Sequence, residues 1–239
     1  MGDSIFFKAG IFIFFFVIAG GFGIVSMIIK KHKLAKQHIP ETKLPFLGVG
    51  AIYYKAHAGM EKTLMSPLTK REIRSMLKRD WGIKSKEDAI ALINSGTAGT
   101  IHSVLFDEQL ASYKTSKNFT NNVNMFIQFY GKQGLISQEK LSNCKTTIAW
   151  DLERAAMLTR YAYSIDLFTE DEAWRYLSPI LDRTKTLFNT WEDYARSFLL
   201  GRCMWGGNKM DSTLLRSISL LSLSPKSGNS IWGKYPLRA

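Results

Sequence analysis

An all-α chain, built as an N-terminal transmembrane helix followed by a compact multi-helix globular domain, is the architecture that three features of the sequence predict. An uncharged apolar run lies near the start, helix-capping spacings recur through the rest, and strand-like alternation of apolar and polar residues is scarce. The 239 residues suffice for one domain with a sizeable core. Two cysteines, Cys144 and Cys203, are too few and too far apart for a disulfide framework or a metal site. Both are expected to be reduced and mostly buried, and neither a metal nor a cofactor is expected.

After a short N-terminal segment, residues 1–4, residues 5–29 read IFFKAGIFIFFFVIAGGFGIVSMII. From Ala9 to Ile29 no charge interrupts 21 residues. At about 1.5 Å per residue a helix of that length spans roughly 30 Å, the thickness of a bilayer core. Lys8 can snorkel to the near interface. The flank that follows carries Lys30, Lys31, Lys33 and Lys36. By the positive-inside rule this flank faces the cytoplasm, which leaves the N-terminus outside and the domain inside. The same lysines suit anionic lipid headgroups, so the bilayer is the first expected partner. A cleaved secretory signal is the alternative reading. The positive flank lies on the wrong end for one, and no A-x-A site closes the run. Ala19 and Gly23 form a small-xxx-small pair that would permit a homo-oligomer.

The formal net charge is +12, and its distribution decides what it means. Residues 30–86 carry 14 Lys and Arg against 4 Asp and Glu, whereas residues 87–205 are slightly acidic. A nucleic-acid binder would place its basic patch on the folded domain, so nucleic acid is the least favoured partner.

A basic juxtamembrane linker, residues 30–51, contains Pro40, Pro45, Gly48 and Gly50, which argue against a continuous helix. An all-helical domain is expected over residues 52–222. Its helices are read near 69–80, 85–95, 103–114, 119–132, 138–164, 170–188, 190–204 and 211–222. Thr69 with Glu72 and Thr169 with Glu172 have capping-box spacing; Ser85 with Asp88 and Thr190 with Asp193 are looser versions. WGIKSKEDAIAL, QGLISQEKL and DLFTEDEAWRYL each place an apolar residue, a hydroxyl and then acids where a helix starts, as a repeated hydrophobic staple would. Residues 223–239 have turn residues without a clear period and read as a C-terminal tail.

Residues 148–163, IAWDLERAAMLTRYAY, set four charges among helix-forming apolar residues. At about 100° per residue, Asp151 falls on the side of Ile148, Ala155, Leu158 and Ala162, with Arg154 at its border. Glu153 and Arg160 fall opposite, beside Ser164, and are expected to be solvated. An acid on a core face must be paired and hydrogen-bonded. Arg154 is the nearest partner at i+3, and Arg202 is a second candidate. The arrangement is either a buried lock between helices or a polar pocket built from Asp151, Arg154, Glu172 and Arg202. Trp150, Trp174, Trp191 and Trp205 are expected in the core. No phosphate loop, zinc helix or nucleophile elbow is present, and the histidines show no ligand spacing.

Four segments, MLKRDWGIKSKEDAIALI, WDLERAAMLTRYAY, TEDEAWRYLSPI and TWEDYARSFLLGRCMW, resemble the bacterial family called domain of unknown function 1266. The resemblance spans roughly residues 69–205 and weakens over 96–134. It implies a bacterial all-helical domain without an established activity. Matched by position, its signature residues are Trp81, Gly82, Trp150, Asp151, Arg154, Glu172, Ala173, Trp174, Trp191, Gly201 and Arg202, with Trp205 completing the aromatic set. The combined expectation is a single-pass protein of a bacterial inner membrane whose cytoplasmic domain binds or scaffolds a protein partner. An enzyme using the Asp151, Arg154, Glu172 and Arg202 pocket is the alternative.

Overall fold

A computed structural model describes residue 34 and residues 38–58, 60–130, 135–206, 212–222 and 230–238. The expected transmembrane segment and Lys30, Lys31, Lys33 and Lys36 lie outside the described residues. The chain divides into two units, residues 1–38 and residues 39–239, and the second is described below.

Among the described residues every regular element is helical. A 3-10 helix, Leu44–Gly48, leads into α1, Ala51–Ala58. Then follow α2 (Lys70–Trp81), α3 (Lys86–Ala98), α4 (Ser103–Lys114), α5 (Lys117–Tyr130), α6 (Gln138–Ser142), α7 (Ala149–Ser164), α8 (Glu170–Leu187), α9 (Trp191–Gly206), α10 (Ser212–Ser222) and α11 (Ile231–Lys234). Thr69, Ser85 and Thr169 close full capping boxes on Glu72, Asp88 and Glu172. Ser137 caps α6 by accepting from the Lys140 N–H. The three repeated start motifs are therefore three N-caps, each placed where backbone donors lack an intrahelical acceptor.

The expected helix over 138–164 is two helices. Between them the Asp107 carboxylate accepts from the Thr146 hydroxyl and from both the N–H and the hydroxyl of Thr147. These side-chain bonds compete with the helical ladder and hold the segment open.

Helix α7 is the axis of the fold. Its alanines and leucine are strong helix formers, and all of its residues but Tyr163 are buried. Helices α1, α2, α3, α8 and α9 pack against it. The closest approach is at α9, where a Cβ on Gly201 would stand 2.4 Å from the Cβ of Trp150. Only a residue without a side chain fits there.

Segments flanking the expected domain also join its core. Leu47 and Val49 are buried on one side, and Ile231, Trp232 and Leu237 on the other. The indoles of Trp191 and Trp232 stack at 5.1 Å, and the Trp232 N–H donates to the Gly48 carbonyl at 2.7 Å. The compact unit is therefore wider than residues 52–222.

One described stretch, Lys86–Lys114, has the length and composition of a membrane span. It carries six charged residues. Gly99, at φ 81°, ends α3 in a left-handed turn before α4 begins, so the stretch is two helices.

Candidate functional site

The charges of α7 are all interior. Asp151, Glu153 and Arg160 are 0 % exposed and Arg154 is 8 % exposed. The expectation that Glu153 and Arg160 are solvated is thus overturned: α7 is covered on every side and has no solvent face.

Asp151, Glu153 and Arg160 are each matched to backbone groups of another element, and Arg154 to side chains. One oxygen of Asp151 accepts from the N–H groups of His102 and Ser103, both at 2.9 Å. It thereby caps α4, whose own N-cap residue makes no side-chain bond. The other oxygen lies 3.7 Å from Arg154 Nη1, beyond hydrogen-bond reach but close enough for attraction, and 3.6 Å from His102 Nδ1. Arg154 Nη1 in turn approaches His102 Nδ1 at 2.8 Å, which makes that ring nitrogen the acceptor and His102 neutral. Partial burial, then the Arg154 charge, holds the His102 pKa below its usual value.

Glu153 serves α1 in the same way. It accepts from the N–H groups of Gly50, Ile52 and Tyr53 at 2.9, 2.7 and 3.2 Å and from the Tyr194 hydroxyl at 2.8 Å. Burial outweighs these bonds and pushes its pKa up to about 7. Two turns further along α7, Arg160 donates to the carbonyls of Met60, Glu61 and Thr63, which follow α1. An acid therefore faces the positive end of α1 and a guanidinium the carbonyls beyond its negative end.

The aromatic signature splits. Trp81, Trp150 and Trp205 join Arg154 and Arg202 in one column. The Arg154 guanidinium lies 4.4 Å from the Trp81 ring centroid and 4.8 Å from that of Trp150. Trp150 meets Trp205 at 5.8 Å, and Arg202 covers Trp205 at 5.1 Å. Tyr53 and Phe198 flank Trp150. The column runs from half-buried Trp81 through buried Arg154 and Trp150 to the surface at Trp205. Trp205, expected in the core, is 55 % exposed. Among the described residues, Trp150 Nε1 and Arg202 Nη1 are buried donors without a hydrogen-bond partner.

Trp174 and Trp191 are buried elsewhere. Trp174 donates to Glu170, and Trp191 packs on Trp232. Glu172 closes the α8 capping box and pairs with Lys86 at 2.6 Å, with no bond to Asp151 among the described residues. Arg202 makes no ion pair with Asp151 there either. The four-residue pocket is therefore not assembled; Asp151 and Arg154 are neighbours, while Glu172 and Arg202 have other surroundings. His102, which the sequence reading passed over, completes the Asp151 and Arg154 group. Its signal was positional: it directly precedes a helix start that lacks a capping side chain of its own. Among the described residues no group of His, Cys, Asp and Glu could hold a metal.

Comparison with known proteins gives one match. The model of a family described as "Protein of unknown function (DUF1266)" aligns with residues 76–236. No curated protein matches. No solved structure matches.

Proposed function

The chain belongs to the DUF1266 family of proteins of unknown function, and from that membership we propose a membrane-anchored binding module that recognises a protein partner through Trp205 and Arg202. One observation carries the reading: an indole more than half exposed stands at one end of a column whose middle members, Trp150 and Arg154, are buried and whose Trp81 and Arg202 are half-buried. Tryptophan and arginine are the side chains most enriched where interfaces concentrate their affinity. Packing against Trp150 and the Arg202 guanidinium orders the indole before a partner arrives, which lowers the entropy lost on binding. The charge deeper in the column, Arg154, is engaged by His102, Asp151 and two indole rings, which favours recognition over acid–base chemistry.

The uncharged run over residues 9–29 and the four lysines after it support an anchor in a bacterial inner membrane, with the domain in the cytoplasm. An alkaline-phosphatase-type reporter fused to the C-terminus is expected to be inactive, and an active one reverses the orientation.

Placing a photo-crosslinking amino acid at Trp205 in living cells tests the recognition surface. A discrete protein adduct is expected from position 205 and absent from an exposed control position such as Glu108. An adduct pattern identical at both positions removes the proposal.

A further inference from the structure

Helix α2 and the turn after α7 enclose a surface cavity of about 410 Å³ lined by Arg74, Leu77, Lys78, Ile83, Lys84, Ile165 and Leu167. Its floor is apolar, since Leu77, Ile83 and Ile165 are buried core residues. Its rim is cationic. Arg74 and Lys78, four residues apart, project from the same face of α2. Past Gly82, at φ 68°, the chain reverses and the Ile83 N–H bonds the Leu77 carbonyl at 3.0 Å. That reversal brings Lys84 to the opposite wall. Arg74 Nη2 donates to the Ile165 carbonyl at 3.1 Å, which fixes its guanidinium along the cavity.

No acid lines this cavity. Residues 70–86 hold seven Lys and Arg against two acids, and both acids are engaged. Glu72 closes the α2 capping box and Asp80 pairs with Arg79. The nearest acid on the other wall, Asp166, pairs with Lys70. Asp88 accepts the backbone N–H of Lys84 and lies outside the lining. Among the described residues Arg74, Lys78 and Lys84 form no ion pair, so three cations line an apolar floor, with the Asp88 charge acting on Lys84 from outside the lining.

We propose that this cavity binds the phosphate of an anionic phospholipid, with the lipid's glycerol and upper acyl carbons against Leu77, Ile83, Ile165 and Leu167. The proposal rests on the membrane-anchor reading for the source of the lipid. A chain tethered by residues 9–29 holds the domain near headgroups at high effective concentration. Each basic side chain near an anionic surface is worth about a fivefold change in affinity, so three together are worth about a hundredfold. The apolar floor favours a lipid over free phosphate, and the two sources are separable.

The test is lysine acetylation footprinting of the full chain in nanodiscs. Lys78 and Lys84 are expected to react at least about fivefold more slowly in phosphatidylglycerol discs than in phosphatidylcholine discs. Lys117, exposed and remote in sequence, serves as the control and is expected to react equally in both. Arg74→Ala, footprinted well below its Tm, is expected to abolish most of the protection, and Arg74→Lys to keep part of it. Equal reactivity of Lys78 and Lys84 in the two lipids overturns the proposal. So does equal protection of Lys117, which would mean general adsorption. Protection by inorganic phosphate in phosphatidylcholine discs would make this a free-phosphate site and also overturns it. Alkaline carbonate extraction reports on the anchor separately. If the chain is extracted, the anchor reading fails, and the same footprint on the extracted chain with added phosphatidylglycerol vesicles still decides the cavity.

Discussion

Replacing Asp151 by alanine would strand the N–H groups of His102 and Ser103 and leave the Arg154 guanidinium without its acid in a dry interior. A loss of about 3–5 kcal/mol is expected from denaturant unfolding. Asp151→Asn keeps an acceptor for α4 and is expected to lose less, about 1–2 kcal/mol. Glu153 has a pH signature of the opposite kind to an ordinary surface acid. Its pKa rises from 4.5 to about 7 on folding, so between those values the native state holds a proton that the unfolded chain has released. Its contribution is complete below pH 4.5 and is lost as pH rises to about 7, a fall on the order of 3 kcal/mol. Comparing unfolding free energies from pH 4.5 to 7.5 checks this: Glu153→Gln should flatten the decline. The helical wheel read Asp151 correctly as interior and misplaced Glu153 and Arg160. A wheel assigns a solvent side by assuming that one exists. The contrary signal was Ala149 and Ala156, small residues close to Glu153 and Arg160 on the wheel, which let a neighbour approach that side as well.

Gly201 marks where two helices touch most closely. Gly201→Ala would drive a methyl into the Cβ of Trp150 at 2.4 Å, and neither side can rotate away. The helices must separate, and a loss of about 1–3 kcal/mol is expected, visible as a lower Tm. The same displacement would shift α9 and with it position 205, so the crosslinking yield at position 205 should fall as well. Helix α1, with eight residues, is too short to persist alone and depends on Glu153 at one end and Arg160 near the other. Such dependence is invisible in α1's own sequence, which is why Ala51–Ala58 was read only as the edge of a larger domain. Helix starts were legible because a cap is a local device: a hydroxyl and, three positions on, a carboxylate. The break after α6 was not, because Asp107, the residue that opens it, lies 39 positions from Thr146.

The domain as a unit was legible in class and incomplete in extent. Helical periodicity and caps announced an all-α protein, and the four signature segments announced the family. The column of Trp81, Arg154, Trp150, Trp205 and Arg202 was legible as a set of residues. Its order and its exposed end were not, because stacking order depends on how α2, α7 and α9 cross. Residues 230–238 lacked any period because they serve as a plug rather than a periodic element. Ile231, Trp232 and Leu237 fill the gap beside Trp191. That plug bears on biosynthesis. While a ribosome is still translating the segment beyond α10, Trp191 has no indole above it and the Gly48 carbonyl has no donor. The nascent domain must wait in an open state until the codon for Leu237 has been read and the peptide has cleared the exit tunnel. Chaperones that patrol the tunnel mouth would find their substrate in that interval.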